Sequence, residues 1–241
     1  MNKDDFLDAL EAESEAFLSA AAAVPLDTPV KVCGAWTMDD LIGHQAFVWG
    51  FATANVASGG EKTSPATAKP EDPSKVIEWA ASVRTTMLET LRAADPAAPA
   101  WSFAPPFQTA GFWQRRMMAE TIVHRWDAES ASGSTNPIDP ALASESIDEY
   151  TEVGLGFSSG RPNREYPASS LHIHCTDTDG EWLLVGTDGP EYTVTREHAK
   201  GDAAARGTAE ALLLWIWGRD GGEVEVLGDA AVATTWRELC P

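Results

Sequence analysis

The sequence predicts an α+β protein, a helical bundle over residues 1–158 followed by a smaller α/β domain over 159–241. Three observations carry this reading. Apolar residues recur at helical spacing up to about residue 155. After about residue 160 the period changes to the alternation of strands. Asp-Gly pairs then fall between the alternating runs, at 179–180 and 188–189, where hairpin turns belong.

The first predicted helix, Asp4 to Ala23, carries Phe6, Leu7, Leu10, Phe17 and Leu18 on one side. Thr37 opens a second, with Asp40 where a capping box places an acid, and it runs to about Ala57. Its Leu41, His44, Val48 and Phe51 fall close to one face. Residues 58–71 are Ser, Gly, Pro, Thr and charges, and read as a loop. Asp72-Pro73 is an N-cap followed by proline in the first turn, starting a third helix that continues to about Ala94. The proline-rich stretch 95–109 reads as an ordered or lid-like loop. A fourth helix spans roughly Gly111 to Ser132, and a fifth follows Asp139-Pro140 and fades near Gly154. Strands are expected at 171–174, 182–185 and 192–194, then a helix at 208–217, a short strand at 224–227 and a last helix at 229–239.

Composition narrows the function. A formal charge of −20 repels phosphate backbones and anionic lipid, which argues against nucleic-acid and membrane-surface roles. The richest apolar run, Ala209 to Trp217, is too short for a membrane span and contains Glu210. The N-terminus, Met-Asn-Lys-Asp-Asp leading into an amphipathic helix, lacks the pattern of a secretory leader. Cys33, Cys175 and Cys240 are odd in number and scattered, with neither disulfide-scaffold nor CxxC spacing. A cytoplasmic location is expected, with the cysteines as inert packing. The ten Trp are expected mainly in the core.

Glu120 and His124 stand four residues apart on the fourth helix, so their side chains stack on one face. Trp113, Met117 and Asp127 continue that stripe. An ExxxH pair on a helix is usually exposed, but a carboxylate on an otherwise apolar stripe is expensive unless neutralised or ligated. His44, beside Leu41, Phe47 and Val48, is the other histidine of the helical half. Two imidazoles and one carboxylate on facing helices suit a divalent ion, zinc first, and leave a position open. Nickel and iron(II) accept the same donors. Asp127, one turn beyond His124, either holds a ligand imidazole or pairs with Arg125 or Arg115. His172 and His174 alternate along a strand and share a face but have no evident third partner; His198 reads as a lone solvated side chain.

Trp36-Thr37-Met38-Asp39-Asp40-Leu41-Ile42-Gly43-His44 resembles the W-x-x-x-D-L-x-x-H opening of the mycothiol-dependent maleylpyruvate isomerase family, and Glu120 to Asp127 resembles its E-x-x-x-H-x-x-D signature. Gly207 to Asp229, with Leu212-Leu213-Leu214 and Gly218-Arg219, resembles its smaller domain. The likeness is to the actinobacterial branch. It implies a DinB-like four-helix bundle carrying zinc on His44, Glu120 and His124, then a sterol-carrier-like α/β domain. It implies mycothiol as the thiol cosubstrate, held as thiolate at the open zinc position, and Arg219 as a partner for a substrate or thiol carboxylate. The expected function is a zinc- and mycothiol-dependent isomerase or S-transferase acting on a small electrophile, as monomer or homodimer. The alternative is a metal-stabilised binding or regulatory module without turnover.

Overall fold

The computed structural model describes residues 1–65, 68–157 and 165–239. The expected boundary at 158/159, Cys240 and two positions of the 58–71 loop lie outside them. The chain divides into two compact units, Met1–Asn136 and Pro137–Pro241. No helix among the described residues is long and apolar enough to cross a membrane.

The first unit is built from α1 (Lys3–Ala22), α2 (Met38–Ala57), α3 (Val76–Ala93) and α4 (Ala110–Ser132). Local chemistry sets where they start. Asn2 accepts from the Asp4 and Asp5 amides while Asp5 accepts from the Asn2 amide, a reciprocal cap on α1. The predicted Thr37/Asp40 box caps α2: Asp40 Oδ2 accepts from the Thr37 amide at 2.9 Å and its hydroxyl at 2.8 Å. Asp72 caps a short tight turn, Pro73–Lys75, that leads into α3. Gly133 ends α4 at φ 91°, a left-handed conformation that glycine adopts without strain.

In α1 the buried residues Leu7, Leu10, Ser14, Phe17, Leu18 and Ala21 follow three- and four-residue steps, so one face meets the core. Helix α4 differs: Met117 to Glu129 are buried without a break. It packs against α1 and α2 and has no solvent face over this stretch. Its charged residues must therefore find partners inside. Arg125 does so with Glu13 and Glu129, both at 2.7 Å.

In the second unit α5 (Pro140–Glu149), capped by Asp139, widens to a π turn over Tyr150–Gly154 and ends in α6 (Leu155–Phe157). The sequence reading placed this helix in the bundle; in the structure it packs against α7 (Ala209–Ile216) of the second unit. Strands β1 (Ser170–Cys175), β2 (Glu181–Gly186), β3 (Tyr192–Thr195), β4 (Ala203–Gly207) and β5 (Val224–Gly228) form one mixed sheet. Its order is β3-β2-β1-β4-β5, with β1 and β4 parallel and the other pairs antiparallel. Helices α7 and α8 (Ala230–Arg237) pack on β1 and β4. Leu171, Ile173, Cys175, Trp182 and Leu184 are the buried alternate residues of β1 and β2. The predicted strands are all present; β4 was not foreseen, because its Ala-Ala-Ala-Arg-Gly run has weak strand propensity.

Candidate metal centre

The site begins with how α2 and α4 are set against each other. Gln45 and Trp49 of α2 both donate to the hydroxyl of Thr121 on α4, at 3.1 and 3.0 Å. These buried bonds fix the two helices in register. The neighbours of that contact, His44 and Glu120, are thereby brought together: His44 Nε2 lies 3.3 Å from Glu120 Oε1. On α4 itself the four-residue spacing places His124 Nε2 at 3.3 Å from the same oxygen.

Two imidazole nitrogens thus converge on one carboxylate oxygen. Glu120 and His124 are buried, whereas the His44 side chain keeps 33% of its surface, so solvent reaches the group from the α2 side. The three donor atoms lie within 4.8 Å of one another. Among the described residues no fourth His, Cys or acidic donor joins this group.

The surroundings hold each donor in the form a cation requires. Asp127 Oδ2 lies 2.9 Å from His124 Nδ1. The Nδ1 proton sits on that bond, which directs Nε2 toward Glu120. Arg116, one turn before Glu120, donates to its other oxygen, Oε2. Burial pushes the Glu120 carboxyl up, but the Arg116 guanidinium and the bonds from His124 and His44 outweigh it and hold it well below the usual range. Burial pushes His124 down, but bonds to Asp127 and Glu120 prevail and raise it from 6.5 to about 9. Without a metal, a proton on Nε2 occupies the place between imidazole and carboxylate.

Residues just before α2 close over the donors. The Trp36 ring lies 5.0 Å from the His44 ring and 6.5 Å from that of His124. Cys33 Sγ lies 3.4 Å from Asp127 Oδ2. Sequence reasoning treated Cys33 as inert packing and overlooked Arg116; the four-residue step from Arg116 to Glu120 was the available signal for the latter. Arg125, one of two expected ion-pair partners for Asp127, is engaged by Glu13 and Glu129. Two turns along the same helices, Phe51 and Trp113 meet edge to face at 5.7 Å, joined by Trp101 and Phe103. These two come from the 95–109 loop, which is ordered: Trp113 donates to Trp101 O at 2.8 Å, and Gln108 bonds Ser102 and Ala104.

The remaining expected site residues lie in the second unit. Arg219 is buried there, donating to Trp217 O at 2.5 Å with its guanidinium over the Trp217 ring. His172, His174 and His198 converge on Glu181, so His198 is not the isolated side chain that its polar surroundings suggested.

No curated protein matches the chain. Among solved structures it is similar to a mycothiol-dependent maleylpyruvate isomerase, with 12% identity and a TM-score of 0.64, over 94% of this chain and 93% of that one. A histidine-to-alanine mutant of a mycothiol-dependent maleylpyruvate isomerase matches over the same shares at 11% identity and a TM-score of 0.63. At these identities the likeness is one of fold. The family described as the mycothiol maleylpyruvate isomerase N-terminal domain matches residues 7–129, a span that holds all four helices nearly whole and the His44–Glu120–His124 group, and the chain belongs to that family.

Proposed function

We propose that this chain is a metal- and thiol-dependent enzyme, an isomerase or S-transferase acting on a small electrophile. His44, Glu120 and His124 are the ligands, zinc is the metal, and mycothiol is the thiol. The observation that carries the reading is the convergence of two imidazoles and one carboxylate, with no fourth protein donor among the described residues. Such a set suits zinc, and nickel or iron(II) accept the same donors.

When bound, the metal supplies a Lewis-acid position at which a thiol becomes a thiolate at neutral pH. The protein's own part follows from its charges. Glu120 and Asp127 bring two negative charges and Arg116 one positive, so with neutral imidazoles the group carries one net negative charge. A bound divalent cation would turn that into one positive charge, which a monoanionic partner would neutralise. Buried charge is costly unless compensated, so this balance favours a thiolate over neutral water at the remaining position. Asp127 keeps the His124 lone pair aimed inward, Arg116 keeps Glu120 ionised, and Trp36 shields both rings. The aromatic group around Phe51, Trp101 and Trp113 lies two helical turns away, about 10 Å along the axis, and offers an apolar wall to a substrate. Arg219 is the proposed partner for a carboxylate of substrate or thiol. A reducing, cytoplasmic setting suits a thiol cosubstrate, and neither Cys33 nor Cys175 is in a disulfide.

The test is turnover by zinc-loaded protein with mycothiol and a panel of small electrophiles, cis-configured conjugated keto acids first. The reading requires a rate that depends on both zinc and thiol and disappears in His124→Ala. Full zinc occupancy without thiol-dependent turnover on any of them would instead support the non-catalytic module.

A further inference from the structure

Besides the two bundle donor groups that share His124, His44–Glu120–His124 and Cys33–His124–Asp127, a further group gathers the other three histidines in the second unit. His172 and His174 sit on the same face of β1. The β1–β2 register pairs His174 with Glu181, placing the carboxylate on that face too. His172 Nε2 lies 2.5 Å from Glu181 Oε2, and His174 Nδ1 lies 2.6 Å from Oε1. His198 arrives from the loop between β3 and β4, its Nδ1 3.0 Å from Glu181 Oε1. The three ring centroids are 5.2 to 5.9 Å apart.

This convergence is built by the backbone. The loop carrying His198 is tied at both ends. Arg196 pairs with Asp148 and lies over the Trp182 ring at 5.0 Å. Asp202 accepts from the Ser170 amide and hydroxyl, each at 2.8 Å. The loop approaches β1 so closely at Gly201 that a Cβ there would meet Ala203 O at 2.6 Å and the His172 amide nitrogen at 3.0 Å. A side chain at 201 would therefore require the loop or the β1 backbone to shift.

A carboxylate on a partly open sheet face is solvated well enough by water. Three imidazoles held against it by a strand, a hairpin register and an anchored loop form the donor pattern of a borderline divalent cation. Zinc spaces four N and O donors about 3.4 Å apart in a tetrahedron of bonds near ~2.1 Å. One ligand atom from each of the four residues lies within 4.8 Å of the others, so small side-chain movements complete the shell. The His198 side chain, 76% exposed, is free to make them.

We infer that His172, His174, Glu181 and His198 form a second binding site for a zinc-class divalent cation, independent of the bundle site. With four protein donors the shell is closed, so the ion is structural. It ties β1, β2 and the loop before β4 together, and it carries no substrate.

The experiment is zinc loading of the metal-stripped full chain at a few micromolar free zinc, with elemental analysis after desalting. The wild type should hold about two zinc per chain. His44→Ala/His124→Ala should keep one, through the sheet site, and His174→Ala/His198→Ala should keep the other. The sheet variant replaces two side chains on the solvent side and leaves the apolar face of β1 intact, and circular dichroism verifies its fold. Cobalt(II) added to the bundle variant should give the visible absorption of a tetrahedral site. The inference is overturned if His174→Ala/His198→Ala binds as much zinc as the wild type, or if a folded His44→Ala/His124→Ala chain binds none. Failure of the bundle site gives the opposite pattern, one zinc in the wild type that persists in His44→Ala/His124→Ala and disappears in His174→Ala/His198→Ala.

Discussion

Zinc affinity at the bundle site should rise steeply with pH above neutrality, because a proton and the metal compete for one lone pair. His124 is raised to about 9, with Nδ1 on Asp127 and Nε2 on Glu120. At pH 7, two units below that value, about one chain in a hundred has Nε2 free, so displacing the proton weakens binding by roughly 100-fold, or about 2.7 kcal/mol. From pH 7 to pH 8 the apparent affinity should therefore strengthen about tenfold, with about one proton released from His124 per zinc bound. Glu120 is held ionised throughout and releases none over this range. The same proton acts with opposite sign on the metal-free chain. A folded value raised above the unfolded one stabilises fully below about pH 6.5, and that contribution, about 3 kcal/mol, is lost as pH rises through about 9. The assay is calorimetric zinc titration of His174→Ala/His198→Ala at both pH values, in buffers of different ionisation enthalpy. An affinity that changes less than about twofold, with no proton released, would refute the placement of the His124 proton in the metal's position.

Three further outcomes follow from the same geometry. Asp127→Asn removes the acceptor that orients His124 and should weaken zinc binding by about 10- to 100-fold without abolishing it, read by competition with a chelating dye. Arg116→Met removes one of the two cations beside buried Glu120, the other being protonated His124, and should destabilise the metal-free chain by about 1–3 kcal/mol; bound zinc should restore most of this, so denaturant melts with and without metal should differ more than in the wild type. Arg219→Lys, if Arg219 holds a carboxylate as proposed, should raise KM about tenfold while metal content and kcat stay near wild type, as steady-state kinetics and elemental analysis would show.

How much was legible in the sequence depended on how local the determinant was. The Thr37/Asp40 box, the Asp72 cap and the Asp139 cap are chemistry within a few residues; the first and last start their helices where expected, while Asp72 caps the tight turn Pro73–Lys75 and α3 begins only at Val76. The stacking of Glu120 and His124 is equally local, being helical geometry alone. The approach of His44 to Glu120 spans 76 residues and depends on the Thr121 contacts that set α2 against α4. The inward face of His44 and the scarcity of histidines in the helical half suggested it, and the motif resemblance pointed the same way. In the sheet, the shared face of His172 and His174 was readable, but Glu181 was not: the hairpin register decides its face, and a one-residue slip would turn it away. His198 was harder still, since a loop reaches β1 only through contacts at Ser170 and Gly201. Strand β4 escaped because alanines favour helix, and pairing between β1 and β5 overrides that preference. The helix over Pro140–Glu149 was foreseen, but nothing in its own sequence says that its apolar face meets α7.

The most direct test of the central claim is anomalous X-ray diffraction at the zinc absorption edge, from crystals of the zinc-loaded chain. The expected result is a strong peak among His44 Nε2, Glu120 and His124 Nε2, about 2.0–2.2 Å from each donor, with at least one position not taken by protein. A map with no peak there, His44 and His124 still hydrogen-bonded to Glu120, would contradict it.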